Sequence, residues 1–327
     1  MNIIGILMAL TLRLAYISLP LYLLKLMSDR SPITRYYFRL GVYISTMGLC
    51  SVWGVIASIA MTLMGRRYDI NFIVARTFYG VISKLIGITC TVDGEHHLDT
   101  RPAVLVGNHQ SMLDIIFLGR CDTPLSTTPF MAKKELVWTP LLGQYMLLSG
   151  AVFVDRSSNK NAVAALAAAG ADMKTRGISL WMFPEGTRHS SKESDLLPFK
   201  KGAFHLAVQA GVPIVPIVCE NYWELYHSGV LEPGNLKIKV LPPIPTDGLT
   251  TADIPDLITR TRDAMLVALR EISGDRIGSD AAGSTPAASA IELPETPTAS
   301  LPGESREVSG GETEASEDEG VLVDRPL

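Results

Sequence analysis

Paired cysteines are missing from this chain. Its four, Cys50, Cys90, Cys121 and Cys219, lie far apart and form no CxxC, which argues against a structural zinc site or a disulfide scaffold. There is no GxSxG segment, so the chain lacks the strained turn that lifts a nucleophilic serine out of an α/β-hydrolase sheet. No aromatic residue occurs from Gly274 to Leu327. That stretch of Ser, Thr, Pro, Gly, Ala and Glu cannot bury enough apolar surface to offset its ordering entropy, so residues 273–327 read as a disordered acidic tail. Charge of either sign is absent from the 26 residues Leu40–Gly65.

That uncharged run, between Arg39 and Arg66, is long enough as a helix to cross a hydrocarbon core of roughly 30 Å. A second apolar run, Met1–Leu24, is interrupted only by Arg13 and Pro20. It does not read as a secretory signal, because no basic residue precedes it and no small-residue cleavage site follows. Two apolar helices joined by a short basic connection (Lys25, Arg30, Arg35, Arg39) are expected over residues 1–85. Basic residues flank the second helix on both sides, so charge gives no orientation, and a hairpin in one leaflet fits as well as two spans. The net charge of −4 hides a strong polarity. Nine Lys/Arg and two Asp/Glu put residues 1–92 at +7, whereas three Arg and twelve Asp/Glu put residues 274–327 at −9. A basic apolar N-terminus suits an anionic bilayer surface; nothing favours nucleic acid.

Residues 86–272 alternate short β-rich runs with helical stretches. ITCTV (88–92), AVLVG (103–107), AVFVD (151–155), ISLWMF (178–183), IVPIV (214–218) and LKIKVL (236–241) are short, apolar and rich in β-branched residues, as buried strands are. SSNKNAVAALAAAGADMKTRG, KKGAFHLAVQAG and IPDLITRTRDAMLVALREIS read as the helices between and after them. The expectation is an α/β domain with a mixed, largely parallel sheet flanked by helices.

Four segments carry polar or turn-forming residues at strand ends, where α/β domains hold ligands. In NHQSMLD (108–114), His109 precedes Asp114 by five residues across a helix start. The carboxylate can fold back onto one imidazole nitrogen, fix the tautomer and leave the other nitrogen to take a proton. A lone histidine at a helix start is otherwise a cap. Ser111 raises a serine–histidine alternative but sits on the same turn as its base, poorly placed for attack. In FPEGTR (183–188), Glu185 and Arg188 form either an ordinary turn pair or a phosphate site built from a glycine turn and a guanidinium. GAVFVDR (150–156) repeats the design with Arg156. VPIVPI (212–217) has no titratable group and either walls a pocket or packs.

In order and spacing the four segments resemble the motifs of the glycerolipid acyltransferase family. Asn108, His109 and Asp114 match the first motif, Gly150, Phe153 and Arg156 the second. Phe183, Pro184, Glu185, Gly186, Thr187 and Arg188 match the third, and Pro213 and Pro216 the fourth. The resemblance covers roughly residues 40–245 and extends to AKKEL (132–136) and PFKKGAFHLA (198–207). NHQSMLD and FPEGTR look most like the 1-acyl-glycerol-3-phosphate acyltransferase branch, and the N-terminal helices look like its fungal members.

The resemblance implies transfer of a fatty acyl group from acyl-CoA to the sn-2 hydroxyl of lysophosphatidic acid at a phospholipid membrane, that of the endoplasmic reticulum for fungal members. It implies no metal and no cofactor beyond acyl-CoA as co-substrate. His109 is the expected general base and Asp114 its orienting partner. The expected substrate contacts are Asn108, Gly150, Phe153, Arg156, Phe183, Glu185, Gly186, Thr187, Arg188, Pro213 and Pro216. Lys133, Lys134, Lys200 and Lys201 are candidates for phosphate or CoA. Within the class, glycerol-3-phosphate and lysophospholipid acyltransferases are the alternatives; outside it, a lipid hydrolase or a silent membrane adaptor.

Overall fold

The structure, a computed structural model, describes residues 3–120, 131–154 and 159–274; the acidic tail from residue 275 lies outside them. The chain opens with α1 (Ile3–Arg30), α2 (Pro32–Leu63) and α3 (Ile70–Ile86). The expected basic loop before Leu40 is instead helical. Ser31 accepts a hydrogen bond from the Thr34 amide and Pro32 occupies the first turn, so α2 starts eight residues early. Arg35 and Arg39 need no loop to reach water, because both bind Glu232, each at 3.0 Å.

Among the described residues α2 is the one helix long and apolar enough to cross a membrane. It has two apolar faces. Tyr43, Cys50, Gly54, Ala57 and Met61 recur at helical spacing and are buried against the rest of the molecule. Leu49, Val52, Ile56, Ile59 and Leu63 form the opposite stripe and are exposed. α3 was not foreseen: Arg66, Arg67 and Arg76 read as a basic flank, yet Ile70, Val74, Phe78, Ile82 and Ile86 make one buried stripe through them.

The remaining elements, in chain order, are β1 (Ile88–Asp93), β2 (Val104–Gly107), α4 (Asp114–Leu118), β3 (Met131–Lys133), α5 (Leu142–Leu148), β4 (Val152–Val154) and α6 (Asn159–Arg176). They continue with β5 (Leu180–Met182), α7 (Gly202–Ala210), β6 (Ile214–Cys219), β7 (Tyr226–His227), β8 (Val230–Leu231), β9 (Gly234–Val240) and α8 (Ile254–Ser273). The main sheet has the order β1-β9-β6-β2-β5, with every pair parallel except β6 and β9. The AVFVD segment forms a strand but does not join it; β4 pairs with β3 in a separate parallel ribbon.

Alternation along the strands divides the core into two layers. Leu105, Val215 and Ile217 face α2, α3 and α4, together with Phe78, Ile82 and Phe117. Val104, Val106, Ile214 and Val218 face α6, α7 and α8, together with Met173, Phe204 and Met265. Because β2, β5 and β6 are mutually parallel, their C-terminal ends share one edge of the sheet. Three loops converge there, following Gly107, Met182 and Cys219.

Candidate active site

The first loop is fixed by Asn108, which is buried. Its Nδ2 donates to the Cys219 carbonyl and its Oδ1 accepts from the Cys219 amide, both at 2.8 Å. The side chain thus acts as a peptide unit, extending the β2–β6 ladder by one rung. Gln110 adds to the same seam, donating from Nε2 to the Glu220 carbonyl at 2.8 Å.

Between these two anchors sits His109. Its Nδ1 lies 2.8 Å from Asp114 Oδ2, its ring stacks on Phe183 with centroids 4.0 Å apart, and its side chain is 20% exposed. Asp114, 1% exposed, accepts at Oδ2 from the Gln110 and Ser111 amides as well, at 2.8 and 3.1 Å. A carboxylate can only accept, so Nδ1 carries the proton and Nε2 is the basic nitrogen. Nε2 has no hydrogen-bond partner among the described residues and is the part of the ring left for a substrate.

Ser111 is not placed as a nucleophile. Its Oγ lies 2.8 Å from the Tyr222 hydroxyl and accepts from the Leu113 amide at 3.0 Å, inside a buried network. Cys219 is adjacent but inert: burial, then the charge of Asp114, pushes its thiol well above the ordinary range.

The second loop carries FPEGTR. Glu185 is 3% exposed; its Oε1 accepts from the His109 amide at 2.8 Å and its Oε2 from the Leu197 amide at 3.1 Å. Burial raises its carboxyl above the usual range, opposed by those two amides. One oxygen therefore holds the histidine loop and the other the segment at Leu197, so Glu185 braces the two from beneath the turn. Gly186 has φ +70°, and a Cβ there would lie 2.9 Å from Cδ, Cε and Nζ of Lys200. The turn needs glycine, and it lays the Lys200 ammonium along the turn's surface. Thr187 and Arg188 are exposed at the same edge. Arg188 lies near enough to Tyr226 to lower a phenol that burial and Tyr36 raise.

The structure does not bring every expected residue here. Pro213 lies at the N-terminal end of β6, where its carbonyl accepts from the Val104 amide, so it is at the far end of the strands from His109. Pro216 is buried beside Leu241 and Ala268, toward α8. Pro216 thereby lines a cavity against α8, as the pocket-wall reading of that segment has it. Gly150 turns the chain between α5 and β4, and Phe153 pairs with Ala132 in the β3–β4 ribbon. Lys134 and Lys201 are exposed, Lys133 closes the ribbon opposite Val154, and Arg156 lies outside the described residues. Sequence reasoning missed Tyr222, whose hydroxyl donates a short hydrogen bond to Asp114 Oδ1. The available signal was its position three residues past a strand's C-terminal end, on the ligand-binding edge.

Residues 89–220 match a family model described as Acyltransferase. A 1-acyl-sn-glycerol-3-phosphate acyltransferase of Saccharomyces cerevisiae is 41% identical over 239 residues, covering 72% of this chain and 78% of the relative. The chain belongs to the acyltransferase family. The alpha 1-acyl-sn-glycerol-3-phosphate acyltransferase of Homo sapiens is 38% identical over 256 residues, 76% of this chain and 86% of its own. The crystal structure of the 1-acyl-sn-glycerophosphate acyltransferase PlsC from Thermotoga maritima shares the fold, with a TM-score of 0.56 at 24% identity over 73% of this chain and 98% of that one. In this acyltransferase the matched span runs from the first strand to the end of β6, so it contains both the histidine loop and the FPEGTR turn.

Proposed function

We propose that this acyltransferase moves a fatty acyl group from acyl-CoA to the sn-2 hydroxyl of 1-acyl-glycerol-3-phosphate, giving phosphatidic acid, with His109 as general base. The supporting observation is the imidazole held at Nδ1 by a buried carboxylate, on a loop bonded to the FPEGTR segment through the His189 amide, with Lys200 lying over Gly186 of that segment. The sn-2 oxygen attacks the thioester carbonyl while its proton passes to Nε2, and Asp114 stabilises the imidazolium that forms. Collapse of the tetrahedral intermediate breaks the C–S bond, and the departing CoA sulfur takes the proton back. General-base assistance of this kind is worth about 10²–10⁴-fold. Holding the two substrates in attack geometry contributes further.

Arg188 and Lys200 are suited to the acceptor phosphate. The exposed stripe of α2 supports membrane association, with that helix lying in one leaflet along the catalytic domain, since its other face is packed against α3 and α5. Both substrates carry acyl chains, so such a placement brings the site to where they reside.

The test is an acceptor panel with purified protein in lipid, following CoA thiol release and lipid product. Lysophosphatidic acid is expected to be the preferred acceptor, and His109→Ala to abolish turnover while leaving membrane association intact. Activity on lysophosphatidylcholine but not on lysophosphatidic acid would overturn the acceptor assignment.

A further inference from the structure

Asp114 Oδ2 is held by three donors from its own loop, whereas Oδ1 takes its bond from a different part of the chain. That donor, the Tyr222 hydroxyl, lies 108 residues away in sequence, beyond β6. We propose that Tyr222 is a positioning residue for His109: it aims the Asp114 carboxylate at the imidazole and moderates how strongly that carboxylate pulls on it. The proposal rests on His109 being the general base.

The direction of every bond in the network is determined. Asp114 can only accept, so the Tyr222 hydroxyl gives its single proton to Oδ1. The tyrosine oxygen is then left to accept from the Ser111 hydroxyl at 2.8 Å, while Ser111 Oγ accepts from the Leu113 amide at 3.0 Å. Both Tyr222 and Asp114 are at most 2% exposed, so water does not compete for the bond. Burial, and then the Asp114 charge, keep the phenol protonated throughout the working range, so the donor is permanent.

The contact is not required to hold the loops together. Asn108 and Gln110 already tie the histidine loop to residues 219–222 through five hydrogen bonds, none involving the tyrosine hydroxyl. Adding a fourth donor to a carboxylate that already has three serves its charge. A carboxylate sharing its charge with more donors stabilises a neighbouring imidazolium less. The other titratable groups facing this network are Cys219 from β6, Glu185, Arg188 and His189 from the FPEGTR loop, and Tyr43 from α2.

The experiment compares pH profiles of kcat/KM for the full chain in lipid, wild type against Tyr222→Phe and against 3-fluorotyrosine placed at 222. Phenylalanine removes the donor; the carboxylate then favours the protonated imidazole more. The acid limb is expected to move up by about half a pH unit. The plateau kcat is expected to fall about 3–10-fold from lost aim, with KM for the acceptor unchanged. Fluorotyrosine keeps shape and fold but donates more strongly, so its acid limb moves down. Opposite shifts support the proposal, and the fluorotyrosine arm stands even where phenylalanine lowers stability. An acid limb unmoved in both variants, or a loss that appears only in KM, overturns it. His109→Ala separates the two levels: an active His109→Ala enzyme overturns the general-base reading itself. An inactive one with unmoved Tyr222 profiles overturns the positioning role alone.

Discussion

Replacing Asp114 by asparagine removes one charge and almost no volume, which makes it the sharpest probe of the dyad. The asparagine has a low-cost arrangement. Its Oδ1 can keep the three donors now on Oδ2, namely His109 Nδ1 and the Gln110 and Ser111 amides. Its Nδ2 then faces the Tyr222 oxygen, whose proton turns to Ser111. The stability loss is expected to stay within about 1–2 kcal/mol. What disappears is the attraction between carboxylate and imidazolium. With charge centres about 4 Å apart and an effective dielectric near 20, that attraction is about 4 kcal/mol. The His109 side chain is 20% exposed, so solvent screens part of it. A loss of about 2–4 kcal/mol in the transition state follows, or roughly 30- to 1000-fold in kcat. The assay is CoA thiol release under saturating acceptor, with thermal unfolding in parallel. Without the carboxylate the imidazole also protonates less readily, so the acid limb of the profile moves down, opposite to Tyr222→Phe. Activity within threefold of wild type, or an acid limb that moves up, would refute the reasoning.

Glu185→Gln keeps one acceptor for two amides and should cost about 1–3 kcal/mol in chemical denaturation, with kcat falling and acceptor KM little changed. The folded-state pKa of Glu185 is raised above 4.5, so its titration adds stability at low pH that is lost as pH rises through the window above 4.5. The stability gap between wild type and Glu185→Gln should therefore narrow as pH climbs through that window. Asn108→Ala leaves the buried Cys219 amide without its partner and is expected to destabilise by about 1–3 kcal/mol, read as a lower unfolding midpoint. Gly186→Ala, at φ +70° with Lys200 in the way, should raise acceptor KM several-fold while far-UV circular dichroism stays native. Gly54→Val pushes into the Tyr145 ring, 2.8 Å from where a Cβ would lie, and is expected to lower thermal stability by separating α5 from α2.

The six strands and three later helices were legible because each carries its own local signal, a short apolar β-branched run for a strand and a longer capped stretch for a helix. What local pattern cannot show is adjacency. β4 reads as a sheet strand from AVFVD, but its partner is β3, a three-residue strand too short to announce itself. α3 was hidden by Arg66 and Arg67 just before it and by Arg76 within it, which read together as a basic flank. The dyad was legible because five residues across a helix start fold it back on itself. Tyr222 was not, because the β2–β6 pairing alone brings a residue 108 positions away to Asp114. The inward place of Glu185 was hidden for a related reason: FPEGTR specifies a turn with both charges in it, not which charge faces inward. Burial decides that, placing Glu185 beneath the turn and Arg188 on it.

The apolar N-terminus looked like an anchor separable from the chemistry, and its buried face argues otherwise. Tyr43, at 0% exposure near the start of α2, donates at 2.6 Å to the carbonyl of Met112, two residues before Asp114. Its ring meets Phe78 of α3 edge-on, with centroids 5.6 Å apart. Arg35 and Arg39 bind Glu232, just past β8, and Arg39 also holds the Leu231 carbonyl. One helix therefore touches the histidine loop, α3 and the chain beyond β8 on one side and offers an unbroken apolar stripe on the other. A separable anchor needs no polar contacts with the loop it carries. Here the exposed apolar stripe and the hydrogen bond behind Asp114 belong to a single helix, so whatever seats α2 also bears on the placement of His109.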